Sequence, residues 1–286
     1  MKIGIGLPNT IPGTPGSVLV EWARRAEARG FSTLATIDRI AYPSYESLIA
    51  LAAAGAVTER IELLTNVLLA PTRNTVLLAK EAASVDQISG GRLTLGLAVG
   101  GRPDDYELTE QQFGSRGHRF DQQLEQLHEA WSGKPVGASS HPVGPRPVRD
   151  EGIPIVIGGT FPGCFDRIVK WGVGWTAGGS AAEQVGPFAR DVRDAWSRAG
   201  KEGQPRIVAL SYFSMGPDVE TSKRSILDYY AFLGGFEQQF AEYLPRGAEA
   251  VRDTVTRFDE AGVDEFILDP TIPDPAEIDL LADAVL

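Results

Sequence analysis

Two stretches of this sequence combine residue types suited to gripping an anion. IVIGGTFPGCF (Ile155 to Phe165) and GWTAGGSAAEQ (Gly174 to Gln184) each read as a strand, a pair of glycines and the start of a helix. Glycine lets backbone N–H groups approach a ligand closely, and a helix N-terminus adds partial positive charge, so each turn suits a phosphate. If the two units are neighbours, Gly158, Gly159 and Thr160 reach one anion from one side, and Gly178, Gly179 and Ser180 from the other. The competing reading is that these glycines only make tight strand-to-helix turns. Gly4 to Gly6 is structural by the same standard, because it lies inside a strand and no G-x-G-x-x-G fingerprint follows.

Side chains able to catalyse unaided are scarce. A Schiff-base enzyme needs a desolvated lysine at a strand end, yet Lys2, Lys80, Lys134, Lys170, Lys201 and Lys223 fall at the chain start, on helices or in connections. A metallohydrolase needs converging histidines and carboxylates, but His118, His128 and His141 belong to one helix and the loop behind it, so no metal site is expected. Cys164 stands beside a helix start that would lower its pKa, without a histidine nearby in the motif; packing is its default role. Trp171 and Trp175 likewise suit packing rather than stacking on a ligand. The reactive atom is therefore expected to come from an organic cofactor that the protein binds and orients.

Eight short apolar stretches alternate with amphipathic helical patterns and supply the frame. The strands are Ile3 to Leu7, Thr33 to Ile37, Ile61 to Leu68, Leu93 to Val99, Ile155 to Ile157, Gly174 to Thr176, Ile207 to Ser214 and Glu265 to Leu268. Leu19, Trp22, Ala23 and Ala26 give one buried stripe behind a Ser17 cap, with Gly30 as the stop. Phe120, Leu124, Leu127 and Trp131 repeat that logic. The last two helices run from about Gly247 to Ala261 and from Pro275 onward, whereas the Pro-, Gly- and Ser-rich stretch from Ser132 to Gly152 reads as an irregular connection with little lid. Eight units across residues 1–286 predict a single α/β domain closed as a (β/α)₈ TIM barrel, with a doubly wound open sheet as the alternative.

Composition narrows the partners. A formal net charge of -11 disfavours nucleic acid and anionic membranes as default partners and leaves a small molecule. No run of about 18 apolar residues exists, and MKIGIGLPNT enters a strand pattern rather than a signal peptide, so a cytoplasmic protein is expected. One cysteine cannot build a disulfide framework.

The run TNVLLAPTRNTVLLAKEAASVDQISGGRLTLGLAVGGRPDDY (Thr65 to Tyr106) resembles the luciferase-like monooxygenase and deazaflavin-dependent oxidoreductase superfamily. So do GIGLP at the start, FSTLATIDR (Phe31 to Arg39), RGHRFDQQLEQLHEAW (Arg116 to Trp131), IPIVIGG and GVDEFILDP. The similarity keeps the family's order along nearly the whole chain. It implies a barrel holding FMN or the deazaflavin coenzyme F420 at the C-terminal mouth, usually in a homodimer.

Position by position, the resemblance puts a non-proline cis peptide between Asn66 and Val67, bulging against the ring. It puts Asp38 at an acidic position near ring and substrate, followed by Arg39 where relatives often carry histidine. Asp38 and Arg39 are the candidate catalytic residues, as a polar edge that orients the reactants; a surface ion pair is the competing reading. Gly100 and Asp105 join the cofactor-contacting positions, Asp104 and Asp105 standing where relatives often have an acid. Arg73, Arg102, Arg116 and Arg119 fall in mouth-forming loops, where they would attract an anionic tail. Gly101 replaces a common tryptophan and Ala98 a common glycine.

The activity so implied is hydride transfer between the deazaflavin, or alternatively FMN, and a small organic substrate held over the ring. FMN would make an oxygen-dependent monooxygenase the matching reaction. A noncatalytic flavin-binding barrel is the reading from another class, motivated by the missing tryptophan and histidine. A cofactor-free hydrolase would need a nucleophile and base that the sequence does not offer.

Overall fold

The computed structural model describes residues 1–161, 163–235 and 237–286. Eight parallel strands, β1 (Lys2–Gly6), β2 (Thr33–Thr36), β3 (Glu62–Leu69), β4 (Leu93–Ala98), β5 (Ile155–Gly158), β6 (Gly174–Thr176), β7 (Arg206–Phe213) and β8 (Glu265–Pro270), close in sequence order, with β1 pairing β8. The helices are α1 (Gly16–Arg29), α2 (Ser47–Gly55), α3 (Thr75–Ser89), α4 (Pro103–Leu108), α5 (Arg116–Trp131), α6 (Gly163–Trp171), α7 (Ala182–Arg198), α8 (Val219–Tyr229), α9 (Glu237–Tyr243), α10 (Gly247–Glu260) and α11 (Ala276–Val285). This is a (β/α)₈ barrel; the open-sheet alternative is excluded by the closed ladder.

The helical stripes bury as their spacing requires. Leu19, Trp22, Ala23 and Ala26 of α1 are buried, and Gly30 ends the helix with φ +91°, a conformation that glycine adopts without strain. The N-cap is a correction: Pro15 occupies that position with extended backbone, and Ser17 lies within the first turn and caps nothing. Proline has no side-chain acceptor, and the Val18 N–H is instead met by the Pro15 carbonyl at 2.9 Å.

Inside the barrel, alternate residues of each strand face the axis. Near the N-terminal end, Arg206 donates to Glu265 at 3.0 Å and to Glu62 at 3.1 Å, while Ser32 and Thr33 also donate to Glu265. Ala35, Leu64, Val156, Val208 and Ile267 fill the middle with apolar volume. Toward the C-terminal mouth the inward positions turn polar, with Asn66, Thr176, Tyr212 and Asp269. That change from apolar filling to polar groups fixes the end where chemistry is available.

Two connections shape the rest. Residues 132–152 are irregular, as their composition predicts, and Val148 N–H donates to the buried Asp86 carboxylate at 2.7 Å. Between β7 and α10 lie α8, the short turn Ala231–Leu233 and α9. This segment covers one side of the mouth. No described helix is long and apolar enough to cross a membrane.

Candidate functional site

A cavity of about 190 Å³ opens at the mouth, with room for on the order of a dozen waters. Its wall includes Asn66, Val67, Asp105, Gly178, Tyr212 and Tyr230. The β3–β4 register shifts between Thr65 and Leu68, and within that bulge the Asn66–Val67 peptide is cis, as the resemblance implied. Thr176 Oγ1 donates to Asn66 Oδ1 at 2.6 Å across the barrel and accepts the Gly178 N–H at 3.3 Å. Asn66 Nδ2 is buried without a partner among the described residues, so a cavity-lining amide keeps two free N–H bonds.

Asp38 and Arg39 do not pair with each other, and neither side chain lies on the surface. Asp38 accepts from Arg73 at 2.8 and 3.0 Å, from the Leu69 N–H at 2.9 Å and from Ser47 at 3.4 Å. Its carboxylate therefore fastens the end of β3 while still lining the cavity. Arg39 turns away, donating to Asp104 at 2.8 Å and to the Tyr229 carbonyl at 3.4 Å, with Tyr42 and Phe232 rings beneath its guanidinium. Each side chain already has hydrogen-bond partners that a substrate would have to displace.

Asp105 is fully buried and accepts the Ile40 and Ala41 N–H groups at 2.8 and 2.7 Å through Oδ1, leaving Oδ2 unpartnered beside the cavity. It thereby ties α4 to the loop after β2. Of the four mouth arginines, only Arg102 lines the cavity, with its guanidinium 4.0 Å from the Phe232 ring centre and 4.6 Å from that of Tyr229. Arg73 is held by Asp38 and Glu46, Arg119 donates to the Pro71 and Arg73 carbonyls, and Arg116 to that of Phe113. Arg73 is thereby neutralised by two carboxylates, whereas Arg116 and Arg119 are held by backbone carbonyls.

The two glycine turns do become neighbours, since Gly158 pairs with Thr176 in the β5–β6 ladder. They are not equivalent. A Cβ on Gly158 would press within 3.2 Å of Val67 and 3.1 Å of Ala98, so this glycine lets β5 pack against the bulge. Gly159 (φ +122°) has open space on its Cβ side, but its carbonyl accepts from Trp175 at 2.8 Å and from Cys164 at 3.3 Å. Gly178 (φ +56°) and Gly179 line the cavity, Ser180 lines a second hollow of about 590 Å³ beside α7 and α10, and Thr160 is exposed. Gly100 (φ +70°) lies against Leu69, and the adjacent Gly101 takes the place on the cavity wall. Burial pushes the Cys164 thiol up to about 12, which leaves it protonated and inert.

Sequence reasoning did not single out the tyrosines or Asp269. Burial holds the phenols of Tyr212, Tyr229 and Tyr230 above their ordinary range, so all three are neutral hydrogen-bonding groups. Burial alone also pushes the Asp269 carboxyl up to about 8. The only available signal was a carboxylate in the ILDP stretch at the end of an apolar strand, where a barrel places its mouth.

These residues fit a flat heterocycle. Asn66 offers unpartnered donors at the bulge, Gly178 and Gly179 offer unshielded backbone, and a neutral aromatic wall stands opposite. A deazaflavin or flavin ring has carbonyl and ring-nitrogen acceptors for such donors and an apolar face for such a wall.

Residues 1–278 match the luciferase-like monooxygenase family, and the chain belongs to it. An uncharacterized protein of Mycobacterium tuberculosis (strain ATCC 25618 / H37Rv) is 28% identical over 218 residues, which span 66% of this chain and 75% of that one. Monooxygenase RslO1 from Streptomyces bottropensis superposes with a TM-score of 0.83 at 22% identity, covering 100% of this chain and 98% of that one. An F420-dependent secondary alcohol dehydrogenase, solved with an F420–acetone adduct, gives a TM-score of 0.82 at 19% identity over 99% and 98% of the two chains. At such identities the shared property is the fold.

Proposed function

We propose that this protein is an oxidoreductase that binds the deazaflavin coenzyme F420 at the barrel mouth and exchanges a hydride with a small alcohol or carbonyl compound. The observation that carries the reading is the Asn66 amide, a cavity-lining residue at the bulge whose Oδ1 is engaged by Thr176 and whose buried Nδ2 has no partner among the described residues. A buried donor left open in this way is costly unless a ligand completes it. Family membership and the F420-dependent dehydrogenase of the same fold support the choice of coenzyme.

The bound deazaflavin would supply a two-electron hydride donor or acceptor. The chain's residues would do the rest. Asn66 and Val67 would hold the ring, Gly178 and Gly179 would approach it with bare backbone, and Asp105 would keep the loops after β2 and β4 together. Gly179 lines both the cavity and the hollow that Ser180 enters, so a phosphate-bearing tail would leave along the turn after β6, with Gly158, Gly159 and Thr160 on the neighbouring turn. Tyr212, Tyr229 and Tyr230 would exclude water from the substrate side.

An FMN-dependent monooxygenase is the second reading, favoured by the fold shared with RslO1. Titration of the purified protein with each cofactor, followed by ring fluorescence, separates the two. Saturable binding of F420 and its reduction by a panel of secondary alcohols is the expected result; binding of FMN alone would transfer the reading to the monooxygenase, and indifference to both would end it.

A further inference from the structure

Arg102 is the one cation on the cavity wall among the described residues, and the reading above gives it no task. It comes from the loop after β4, at the start of α4. Its guanidinium packs against three rings at the end of α8 and the turn that follows, 4.0 Å from the Phe232 centre, 4.6 Å from that of Tyr229 and 5.9 Å from that of Tyr230. Such rings hold a guanidinium in place without neutralising its charge. Arg39 lies against the same Phe232 ring at 5.7 Å, so two guanidiniums crowd one aromatic side chain. The carboxylate beside them is taken, because Asp104 accepts from Arg39 at 2.8 Å. The carboxylates of the cavity wall have partners elsewhere, Asp38 in Arg73 and Asp105 in the Ile40 and Ala41 N–H groups. Arg102 itself forms no ion pair among the described residues. A cation so placed suits a planar anion, since its fork of donors matches the two oxygens of a carboxylate.

We propose that Arg102 receives a carboxylate carried by the substrate, so that the small alcohol or carbonyl compound is a hydroxy acid or an oxo acid. The assignment rests on the hydride-transfer reading above and names its substrate class. Pairing with Arg102 anchors one end of the substrate and leaves the carbinol or carbonyl carbon to be presented to the ring, whereas a neutral alcohol of the same shape lacks the anchor. The coenzyme's own phosphate and carboxylates are the other source of such an anion. Their path runs along the turn after β6, two strands further round the barrel, while Arg102 stands with Tyr229 and Tyr230 on the substrate side.

The test has a readout that needs no turnover and one that does. In the cofactor-free protein, phenylglyoxal labelling followed by peptide mass spectrometry reports on Arg102 directly. Lactate and β-hydroxybutyrate should protect this arginine, and their methyl esters should not. No protection by either acid would overturn the proposal, and protection by added F420 instead would assign the guanidinium to the coenzyme's tail. In turnover with F420, kcat/KM should favour each acid over its ester. Arg102→Gln should erase that preference through a rise of about 10- to 100-fold in KM for the acid, the size of a lost charge-assisted hydrogen bond, with the F420 Kd unchanged. Arg102→Lys, which keeps the charge without the fork, should recover part of the preference. A wild-type enzyme indifferent to the charge, or an Arg102→Gln enzyme that still prefers the acids, would overturn the carboxylate receptor and leave hydride transfer standing. If the wild-type protein binds neither F420 nor FMN, the reading of the site falls and takes the substrate class with it, whatever the labelling shows.

Discussion

The hydroxyl of Thr176 on β6 reaches 2.6 Å across the barrel to the side-chain carbonyl of Asn66 on β3. Thr176 also accepts the Gly178 N–H, so one hydroxyl ties the Asn66 amide to the turn after β6. Removing the hydroxyl with Thr176→Val frees the amide to rotate while leaving its donors intact. The expected outcome is cofactor affinity about tenfold weaker, matching one hydrogen bond of roughly 1–1.5 kcal/mol. Asn66→Ala should lose at least as much. Fluorescence titration measures both, and unchanged affinity in Asn66→Ala would remove the amide from the site.

The Asp38–Arg73 pair is buried, with the aspartate side chain 1% and the arginine 13% exposed. Arg73→Ala leaves that carboxylate with only the Leu69 N–H and Ser47 as partners. Breaking a buried pair from one side costs about 3–5 kcal/mol, far more than a surface pair would. Urea unfolding should show a lower midpoint with an unchanged slope, while a loss below about 1 kcal/mol would mean that the pair is solvated.

The same pair shows where the sequence is legible and where it is not. The eight strands and the cis bulge follow from local pattern and family likeness, because apolar runs and turn glycines carry their meaning within a few residues. The partners of Asp38 and Arg39 lie 35 and 65 positions away, and only the closed barrel brings them together. Arg73, Arg116 and Arg119 read as free cations in sequence and turn out to be hydrogen-bonded to the frame. Ser222, Ile226 and Tyr229 share one buried face of α8, but nothing local announces that the end of this helix, Tyr229 with the following Tyr230, walls a cavity and not only the core.

At the opposite end of the barrel, burial tends to raise the Glu265 carboxyl, but Arg206 and the hydroxyls of Thr33 and Ser32 outweigh it and hold it below the ordinary range. A depressed carboxyl contributes stability that is present above its unfolded pKa and is lost as pH falls through the folded value. Glu265→Gln should therefore cost stability at pH 7 and show a weaker dependence on pH below about 4.5. Thermal unfolding from pH 7 to pH 3 checks this, and parallel acid limbs in the two proteins would assign the loss to other carboxylates.

Asp269 obeys the opposite sign. Its carboxyl is pushed up to about 8 in the folded chain, against 3.8 as the ordinary value. Below pH 4 both folded and unfolded chains hold the proton, so ionisation takes nothing from stability. Between pH 4 and 8 only the unfolded chain releases it, and stability falls steadily across that window before levelling off. An asparagine in place of the acid has no proton to lose, so Asp269→Asn should be more stable than wild type at pH 7, by at most about 4 kcal/mol, with the gap closing toward pH 4. Denaturant unfolding at pH 4, 6 and 8 reads the gap directly, and a mutant less stable than wild type at pH 7 would show that Asp269 is ionised and partnered in the folded protein.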